Sequence, residues 1–205
     1  MITRQEYPKT TLIFRNVPTK LICMVCETLE TQKYKTAVEI TLNSENAEQL
    51  PQFIKDYPNL LIGAGTVITP DDAKKAINAG CQFILSPILL PKSVFKICKD
   101  NKILVVSGAY SPTEIWQACN FGSAIVKVFP ARDLPEKYIM DIKAPLGDIP
   151  LMAVGGVTLE NAKHFLQTGF THIGMGTGLF GKHFEYVTQE TVHEKLNQLC
   201  ELTLS

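Results

Sequence analysis

The chain has 205 residues, of which 45% are hydrophobic, and its 20 basic residues equal its 20 acidic ones. This length and hydrophobic content suffice for a substantial core, and the balanced charge leaves no overall field that would attract nucleic acid or a membrane surface. No stretch is apolar for long enough to span a bilayer, and the segment MITRQEYPKT lacks the apolar run of a signal peptide. We therefore expect a cytoplasmic globular protein that binds neither nucleic acid nor membranes.

Short β-rich segments recur along the chain, and successive segments begin roughly 20 to 26 residues apart, the length of one strand, one helix and two short loops. In chain order the segments are TTLIFR from Thr10, TAVEITL from Thr36, LLIGAG from Leu60, FILS from Phe83, ILVVS from Ile103, AIVKVF from Ala124, PLMAVGG from Pro150 and HIGMG from His172. The spacing predicts eight strands separated by helices.

The segments between the strands carry helix start and stop signals. TPDDAKKAINAG offers Thr69 as an N-cap, a proline at the first helical position and Gly80 as the stop. SPTEIWQACNFG repeats this form from Ser111 to Gly122, and TLENAKHFLQTGF begins in the same way at Thr158. A further helix is predicted near the C-terminus, around TQETVHEKLNQLCEL.

This alternation of strands and helices indicates the fold class. It implies a parallel sheet, and eight strand–helix units are the number that closes a (β/α)8 barrel. An open, doubly wound sheet is the alternative arrangement of the same elements. Since no linker, low-complexity tract or charge block divides the chain, we predict an α/β protein with a single (β/α)8 TIM-barrel domain over residues 1–205, including a short N-terminal lead and a C-terminal helix.

The cysteines and histidines do not form metal-binding patterns. Six cysteines lie scattered in apolar surroundings, so we expect reduced thiols rather than a disulfide scaffold. Cys23 and Cys26 form a C-x-x-C, but KLICMVCETL predicts a helix whose apolar face carries both. The four histidines show no metal-ligand spacing, and the chain has neither a P-loop nor a G-x-G-x-x-G dinucleotide fingerprint. We therefore expect no metal and no cofactor.

Three charged residues interrupt the apolar strand segments. Lys127 stands in AIVKVF, Glu39 in AVEITL and Arg15 at the end of LIFR. Taken singly, each could belong to a structural ion pair between strands, because an unpaired buried ion is costly. In a barrel, however, polar residues near the carboxyl ends of the strands face the catalytic mouth. A lysine, a carboxylate and a guanidinium at one mouth favour a catalytic site.

The chemistry of these three groups is that of a Schiff base. A lysine confined in a low-dielectric pocket near an arginine has a lowered pKa, and its neutral amine attacks carbonyl carbon. Glu39 would carry protons through the carbinolamine and imine steps, with a water. Arg15 can bind a carboxylate through two parallel hydrogen bonds. The three groups together suggest a keto acid as the substrate.

Glycine-rich loops indicate where the other end of the ligand lies. Gly155 and Gly156 separate the seventh strand from a helix, and Gly176 and Thr177 follow the eighth strand. Tight turns need glycine for steric reasons alone, but the loops after strands seven and eight are where barrels hold phosphate. We therefore expect a phosphorylated ligand.

Six segments resemble those of one enzyme family: VEITLNS, IGAGTV, FILSP, KVFPA, AVGGVTLENA and GMGTGLF. Their order and spacing are similar to those of the 2-dehydro-3-deoxy-6-phosphogluconate (KDPG) aldolases, a family that includes the 4-hydroxy-2-oxoglutarate (KHG) and 6-phosphogalactonate aldolases. The resemblance covers nearly the whole chain. It implies a metal-free class I aldolase with a (β/α)8 fold, usually a homotrimer, that acts on a small phosphorylated keto sugar acid.

The resemblance also implies roles for individual residues. Lys127 matches the Schiff-base lysine and Glu39 the proton-transfer glutamate. Thr66, Pro87 and Phe129 match residues around the pyruvoyl part of the substrate, although turn formation is an equally good local interpretation of Thr66. The matches at the phosphate site are Gly155, Gly156, Gly176 and Thr177, with Thr177 replacing a serine often found there.

Several positions bear on the identity of the substrate. Asn43 stands where the phosphogluconate enzymes usually carry an arginine, whereas Arg15 and Val154 are similar to the phosphogalactonate branch. Ser107 replaces a proline common in both branches. The resemblance implies cleavage of KDPG to pyruvate and glyceraldehyde 3-phosphate, and of 4-hydroxy-2-oxoglutarate to pyruvate and glyoxylate. The alternative substrate is 2-dehydro-3-deoxy-6-phosphogalactonate (KDPGal).

Two functions from other classes compete with the aldolase on the residues alone. A phospho-sugar isomerase or epimerase would use the same glycine loops but needs no imine, so Lys127 argues against it. A non-catalytic barrel that binds a phospho-metabolite would form no covalent adduct, and the presence of both Lys127 and Glu39 argues against that function.

Overall fold

The chain folds into a closed barrel of parallel strands. The structure is a computed structural model that describes residues 2–181 and 183–204, so residues 1 and 205, the ends of the predicted domain, lie outside the described residues. The strands are β1 (Thr10–Phe14), β2 (Thr36–Thr41), β3 (Ile62–Gly65), β4 (Phe83–Leu85), β5 (Leu104–Ala109), β6 (Ile125–Val128), β7 (Leu151–Val154) and β8 (His172–Met175). Each strand pairs in parallel with the next, and β8 pairs with β1. The predicted (β/α)8 barrel is confirmed, and the open sheet is not formed.

Helices alternate with the strands. They are α1 (Thr19–Gln32), α2 (Leu50–Asp56), α3 (Pro70–Asn78), α4 (Lys92–Asp100), α5 (Pro112–Phe121), α6 (Tyr138–Leu146), α7 (Leu159–Gln167) and α8 (Gln189–Leu204). Short 3₁₀ turns occupy Ala47–Gln49 and Phe184–Tyr186. The C-terminal helix α8 packs against α1 and α7, as the final helix of a closed ring must.

Side-chain caps fix where the helices leave the barrel mouth. At α3, the Thr69 hydroxyl accepts a hydrogen bond from the Asp72 N–H at 3.1 Å, and the Asp72 carboxylate accepts one from the Thr69 N–H at 2.9 Å. Ser111 and Glu114 form the same reciprocal pair at α5. Gly122 ends α5 in the left-handed conformation, with φ of 103°. The helix starts predicted from the sequence are therefore observed, and they keep the loops at the mouth short.

The core has two layers because successive strand residues point to opposite faces. The outer layer lies between strands and helices and includes Val126 and Val128. The inner layer fills the barrel, and its members are Tyr7, Ala37, Phe83, Leu85, Leu104, Val106, Ile125, Met152 and Val154.

Tyr7, from the N-terminal lead, closes the end of the barrel where the strands begin. Its ring is 4% exposed and meets Phe83 edge to face, with 5.2 Å between the ring centroids. Its hydroxyl forms a 2.8 Å hydrogen bond with the Thr11 hydroxyl. The apolar filling and this floor leave the opposite end, where the strands terminate, as the end at which polar groups can meet solvent.

Three further features bear on the expectations from composition. Within the described ranges, no helix is long and apolar enough to cross a bilayer, and no group of three or more His, Cys, Asp or Glu side chains is placed to hold a metal ion. All six cysteines are free. Cys26 is buried and Cys23 half-buried on α1, both packed in the core, which agrees with the packing role predicted for this pair.

Candidate active site

Lys127 lies inside the barrel on β6. Strand alternation puts its side chain on the same face as Ile125 of the inner layer, opposite to Val126 and Val128. The residue is 6% exposed, and its Nζ lies 4.8 Å from the centre of the Phe129 ring. Among the described residues, Nζ has neither a hydrogen-bond nor an ion-pair partner. The lysine in AIVKVF is therefore a buried amine that no structural ion pair occupies.

Glu39 lies inside the barrel on β2 and is 1% exposed. The Thr41 hydroxyl, two residues along the same face, lies within hydrogen-bond distance of both carboxylate oxygens, at 3.1 Å from Oε1 and 3.3 Å from Oε2. Room for the carboxylate comes from Gly65 on β3, because a Cβ there would lie 1.0 Å from Oε1. The last glycine of LLIGAG is thus what allows a glutamate at this position.

The two buried groups alter each other's protonation. Burial raises the pKa of Glu39 above the ordinary value for a glutamate, while Lys127, the Thr41 hydrogen bond and Arg15 act in the opposite direction. Burial lowers the pKa of Lys127; Glu39 opposes this shift and Arg15 adds to it. Near neutral pH the site can therefore hold an uncharged amine close to a carboxyl group able to give or take a proton, which is the arrangement that imine chemistry needs.

Arg15 follows β1 directly and lies exposed at the rim of the mouth. Its Nη2 donates a 2.6 Å hydrogen bond to the Thr66 hydroxyl, just beyond β3. Thr66 has a φ of 56°, a left-handed conformation that is rare for a β-branched residue. The bond spans the end of β2 and so fixes the guanidinium above Glu39, with other N–H donors left for a ligand. Thr66 therefore lies at the mouth in a left-handed bend, with its hydroxyl bound by Arg15.

Lys127 is bordered by Pro87, in the loop that packs on β5, and by Phe129, which directly follows β6. Gly108 on β5 is aligned with Lys127 in the strand register. A Cβ at Gly108 would lie 2.4 Å from the Pro87 carbonyl carbon, and the Gly108 N–H donates to the Ile88 carbonyl at 2.9 Å. The loop that carries Pro87 is therefore pressed against the strand beside Lys127, while the Phe129 ring covers the ammonium.

The first glycine loop adjoins this wall. Gly155 and Gly156 have φ values of 92° and 85°, a conformation that favours glycine. A Cβ at Gly155 would lie 3.2 Å from the Phe129 ring. The loop leads directly to the N-terminus of α7, whose Thr158 N–H donates to the Asn161 side chain at 2.8 Å. Contacts therefore run continuously from Lys127 through Phe129 to the predicted phosphate loop.

The second glycine loop follows β8. A Cβ at Gly174 would lie 2.7 Å from Val154 Cγ2, and one at Gly176 would lie 3.6 Å from the Ile13 carbonyl. Thr177 is exposed and its carbonyl accepts a 2.7 Å hydrogen bond from a later N–H in a tight turn. Val154 thus closes the interior beneath this loop. Thr177 stands at the mouth and, among the described residues, forms no hydrogen bond with Lys127 or Glu39.

Sequence reasoning missed three residues that shape the site: Thr41, Gly65 and Gly108. Thr41 shares the face of Glu39 by strand alternation, so its spacing of two residues was a usable signal. The two glycines act across strands, and nothing in their own segments reveals which side chain or loop they admit.

Ser107 and Asn43 are two positions at which the sequence departs from residues common in the family that it resembles, and the structure explains only the first. Ser107 is fully buried, its N–H donates to the Ser123 hydroxyl at 2.9 Å, and its own hydroxyl accepts from the Leu90 N–H at 3.0 Å. A proline there would lack the N–H, so serine ties the β4–α4 loop to β5. Asn43 is exposed beyond β2, and no contact in the structure explains its identity.

Comparison with known proteins agrees with this geometry. The model of the KDPG and KHG aldolase family matches residues 13–194. The 2-dehydro-3-deoxy-6-phosphogalactonate aldolase of Escherichia coli (strain K12) is 35% identical over 159 residues, which cover 75% of this chain and 77% of that protein. The 2-dehydro-3-deoxy-phosphogluconate aldolase of Haemophilus influenzae is 33% identical over 133 residues, 64% of this chain and 62% of that one.

A solved structure described as "Native KDPGal structure" has a TM-score of 0.83 and 28% identity, and the alignment covers 94% of this chain and 93% of that one. The fold, the family match and these relatives agree with one another. The chain therefore belongs to the KDPG and KHG aldolase family, and it is a carbon–carbon lyase of the class I, Schiff-base type.

Proposed function

We propose that this chain cleaves a 2-keto-3-deoxy-6-phospho sugar acid of the KDPG type to pyruvate and glyceraldehyde 3-phosphate. The observation that carries the proposal is the presence of Lys127 and Glu39, both almost fully buried, in a barrel whose interior is otherwise mainly apolar. Burial favours the neutral amine, which is the nucleophile toward a ketone.

The proposed reaction begins when Nζ of Lys127 attacks C2 of the keto acid. Glu39, through a water, protonates the leaving hydroxyl of the carbinolamine, and water departs to give the protonated imine. The C3–C4 bond then breaks: its electron pair moves toward the imine nitrogen, the C4 hydroxyl gives up its proton through the same water and carboxylate, and glyceraldehyde 3-phosphate leaves. The remaining enamine is protonated at C3 and hydrolysed, which releases pyruvate and restores Lys127.

The proposed binding roles follow from the placement of the other residues. Arg15, held by Thr66, binds the substrate carboxylate, and Pro87 and Phe129 enclose the pyruvoyl part beside Lys127. Val154 supports the substrate from the interior. The phosphate binds at the loops that follow the neighbouring strands β7 and β8; the residues assigned to it are Gly155, Gly156, Gly176 and Thr177.

KDPGal, which differs from KDPG at C4, is a second candidate substrate. The relative from Escherichia coli and a probable one from Rhizobium meliloti, 33% identical over 148 residues, carry the name 2-dehydro-3-deoxy-6-phosphogalactonate aldolase. Arg15 and Val154 are similar to that branch. We also propose cleavage of 4-hydroxy-2-oxoglutarate to pyruvate and glyoxylate, because the bond that breaks is the same.

A coupled assay tests this proposal. Pyruvate release from the gluconate and galactonate epimers and from 4-hydroxy-2-oxoglutarate is followed with lactate dehydrogenase and NADH. We expect pyruvate from at least one phosphorylated epimer with the native chain and none with Lys127→Met. A folded native chain that releases no pyruvate from any of the three, or a Lys127→Met variant that is as fast, would contradict the proposal.

We propose further that the chain forms a homotrimer. Large apolar side chains are exposed on three successive loops and one helix at the same side of the barrel: Ile68 (38%), Ile88 (46%), Tyr110 (43%) and Trp116 (54%). Such a patch is typical of a surface that another subunit covers. Trp116→Lys should shift the mass measured by sedimentation equilibrium from trimer to monomer, and a native chain that sediments as a monomer would refute the trimer.

We also propose that residues 1–205 act as one domain in the cytoplasm, without a metal, a cofactor, a nucleic acid or a membrane as partner. The six free cysteines and the even balance of charge support this location. The proposed mechanism is complete with the side chains and water already named.

A further inference from the structure

Arg132 lies against the first glycine loop. It follows β6 in the segment that leads to α6, and its Cβ lies 2.5 Å from the position that a Cβ at Gly156 would take. Gly156 also has a left-handed backbone, with φ of 85°. Two features therefore disfavour any side chain at position 156: the left-handed backbone conformation and the close approach of Arg132.

The segment carrying Arg132 is fixed to the barrel. The N–H of Ala131, which is 1% exposed, donates a 2.8 Å hydrogen bond to the Val154 carbonyl at the end of β7. The Asn161 side chain on the first turn of α7 donates to the Gly156 carbonyl at 2.8 Å. Both sides of the contact between Arg132 and Gly156 are thus anchored, and the arginine stem is held beside the loop.

The Arg132 guanidinium makes no polar contact with the part of the chain that the structure describes. The residue is exposed, and among the described residues it has no hydrogen-bond or ion-pair partner, the adjacent Asp133 included. Arg15, by contrast, already donates one hydrogen bond to the Thr66 hydroxyl. Arg132 therefore has a full set of donors available, on a stem whose Cβ and Cγ lie beside the glycine loop.

A phosphate monoester carries about −1.5 to −2 charges near neutral pH. The backbone N–H groups of a loop and a helix N-terminus together offer about half a positive charge, which leaves most of the phosphate charge uncompensated. A guanidinium supplies a whole charge and a planar fork that matches two phosphate oxygens.

We propose that Arg132 binds the phosphate of the substrate from the β6 side and so makes the enzyme prefer phosphorylated over unphosphorylated 2-oxo acids. The inference rests on the proposed function for its substrate class. It assigns a specificity role to a residue outside the catalytic pair, since Arg132 acts at the end of the substrate remote from the bond that breaks.

The test compares Arg132→Gln with Arg4→Gln. Arg4 is also exposed, but it lies in the N-terminal lead, at the opposite end of the barrel. For the phosphorylated substrate, Arg132→Gln should raise KM about 10- to 100-fold, the loss expected for a charge-assisted hydrogen-bond pair, and leave kcat within about twofold. Its kcat/KM for 4-hydroxy-2-oxoglutarate should be unchanged, and Arg4→Gln should behave as the native chain with both substrates.

Two outcomes overturn the inference: an unchanged KM for the phosphorylated substrate, or an equal loss with both substrates, which would indicate a structural role. Binding of inorganic phosphate, measured by calorimetry, distinguishes a failure of this inference from a failure of the proposed function. Weaker phosphate binding by Arg132→Gln than by Arg4→Gln supports the site even if neither substrate is cleaved. Equal affinity in the two variants overturns it even if the aldolase reaction is confirmed.

Discussion

Glu39 and Lys127 are both almost fully buried, and burial moves their pKa values toward each other. A carboxyl group in a dry site holds its proton to higher pH, and an amine in the same site loses its proton at lower pH. The surrounding charges then adjust each group: for Lys127, Glu39 favours the charged amine and Arg15 the neutral one. At the scale of single residues, the reactivity of the lysine is therefore set by burial first and by two neighbouring charges second.

This arrangement predicts that the pKa of Lys127 shifts in opposite directions when either of two charged neighbours is replaced by an uncharged glutamine. Arg15→Gln removes a group that lowers the pKa of Lys127, so that pKa should rise; Glu39→Gln removes a group that raises it, so that pKa should fall. The measurement is the pH dependence of the initial rate at which cyanoborohydride traps pyruvate on the protein. Shifts of the same sign in both variants would contradict the electrostatic description.

A second prediction concerns Gly65, which makes room for the Glu39 carboxylate. Gly65→Ala places a methyl group where Glu39 Oε1 lies, so the carboxylate must move away from its position beside Thr41. We expect kcat to fall at least tenfold and the free energy of unfolding to fall by about 1–3 kcal/mol, as measured by steady-state kinetics and urea unfolding.

The matched control for Gly65 is the double variant Gly65→Ala/Glu39→Asp, in which a shorter acid recovers space. Its loss of unfolding free energy should be smaller than the sum of the two single losses. Strict additivity would show that the alanine acts through some contact other than the Glu39 side chain.

At the scale of elements, the strands and most helix starts could be predicted from the sequence because they depend on local signals. The threonine before α3 and the proline that begins it act within one turn, and the two-residue alternation of β6 is enough to place Lys127 and Ile125 on one face. The contact between Arg15 and Thr66, by contrast, joins loops 51 positions apart. Such a contact depends on which strands close the ring and on their register, and neither can be read from spacing alone.

The N-terminal lead is the element whose role was least visible in the sequence. Its Tyr7 is a buried member of the inner layer, and burial, together with the nearby charge of Glu39, raises the pKa of its hydroxyl. The lead therefore closes the floor under the catalytic carboxyl. Nothing in MITRQEYPKT distinguishes this tyrosine, because two of its partners, Phe83 and His172, come from distant strands.

Two substitutions of Tyr7 separate its ring from its hydroxyl. Tyr7→Phe removes only the bond to Thr11 and should lower the free energy of unfolding by about 1 kcal/mol. Tyr7→Ala opens a cavity at the floor and should cost about 3–5 kcal/mol. Urea unfolding monitored by circular dichroism measures both, and equal losses in the two variants would show that the ring does not fill the barrel floor.

At the scale of the whole molecule, closing the sheet gives the barrel two unlike ends. One end is filled by Tyr7 and the apolar inner layer, and the other gathers the glycine loops, Arg15 and the route to Lys127. Access to the lysine from one side only means that substrate and water reach it through the same mouth. The exposed apolar loops beside that mouth are the surface at which we propose that subunits meet; under this proposal, assembly and catalysis occupy the same end of the barrel.

The central claim is that Lys127 forms the imine, and borohydride trapping tests it most directly. The protein is incubated with pyruvate, reduced with borohydride and mapped by peptide mass, alongside Lys127→Met and the exposed-lysine control Lys137→Met. We predict an adduct on Lys127 in the native chain and in Lys137→Met, and none in Lys127→Met. A folded native chain without an adduct, or an adduct that persists in Lys127→Met, would contradict the account.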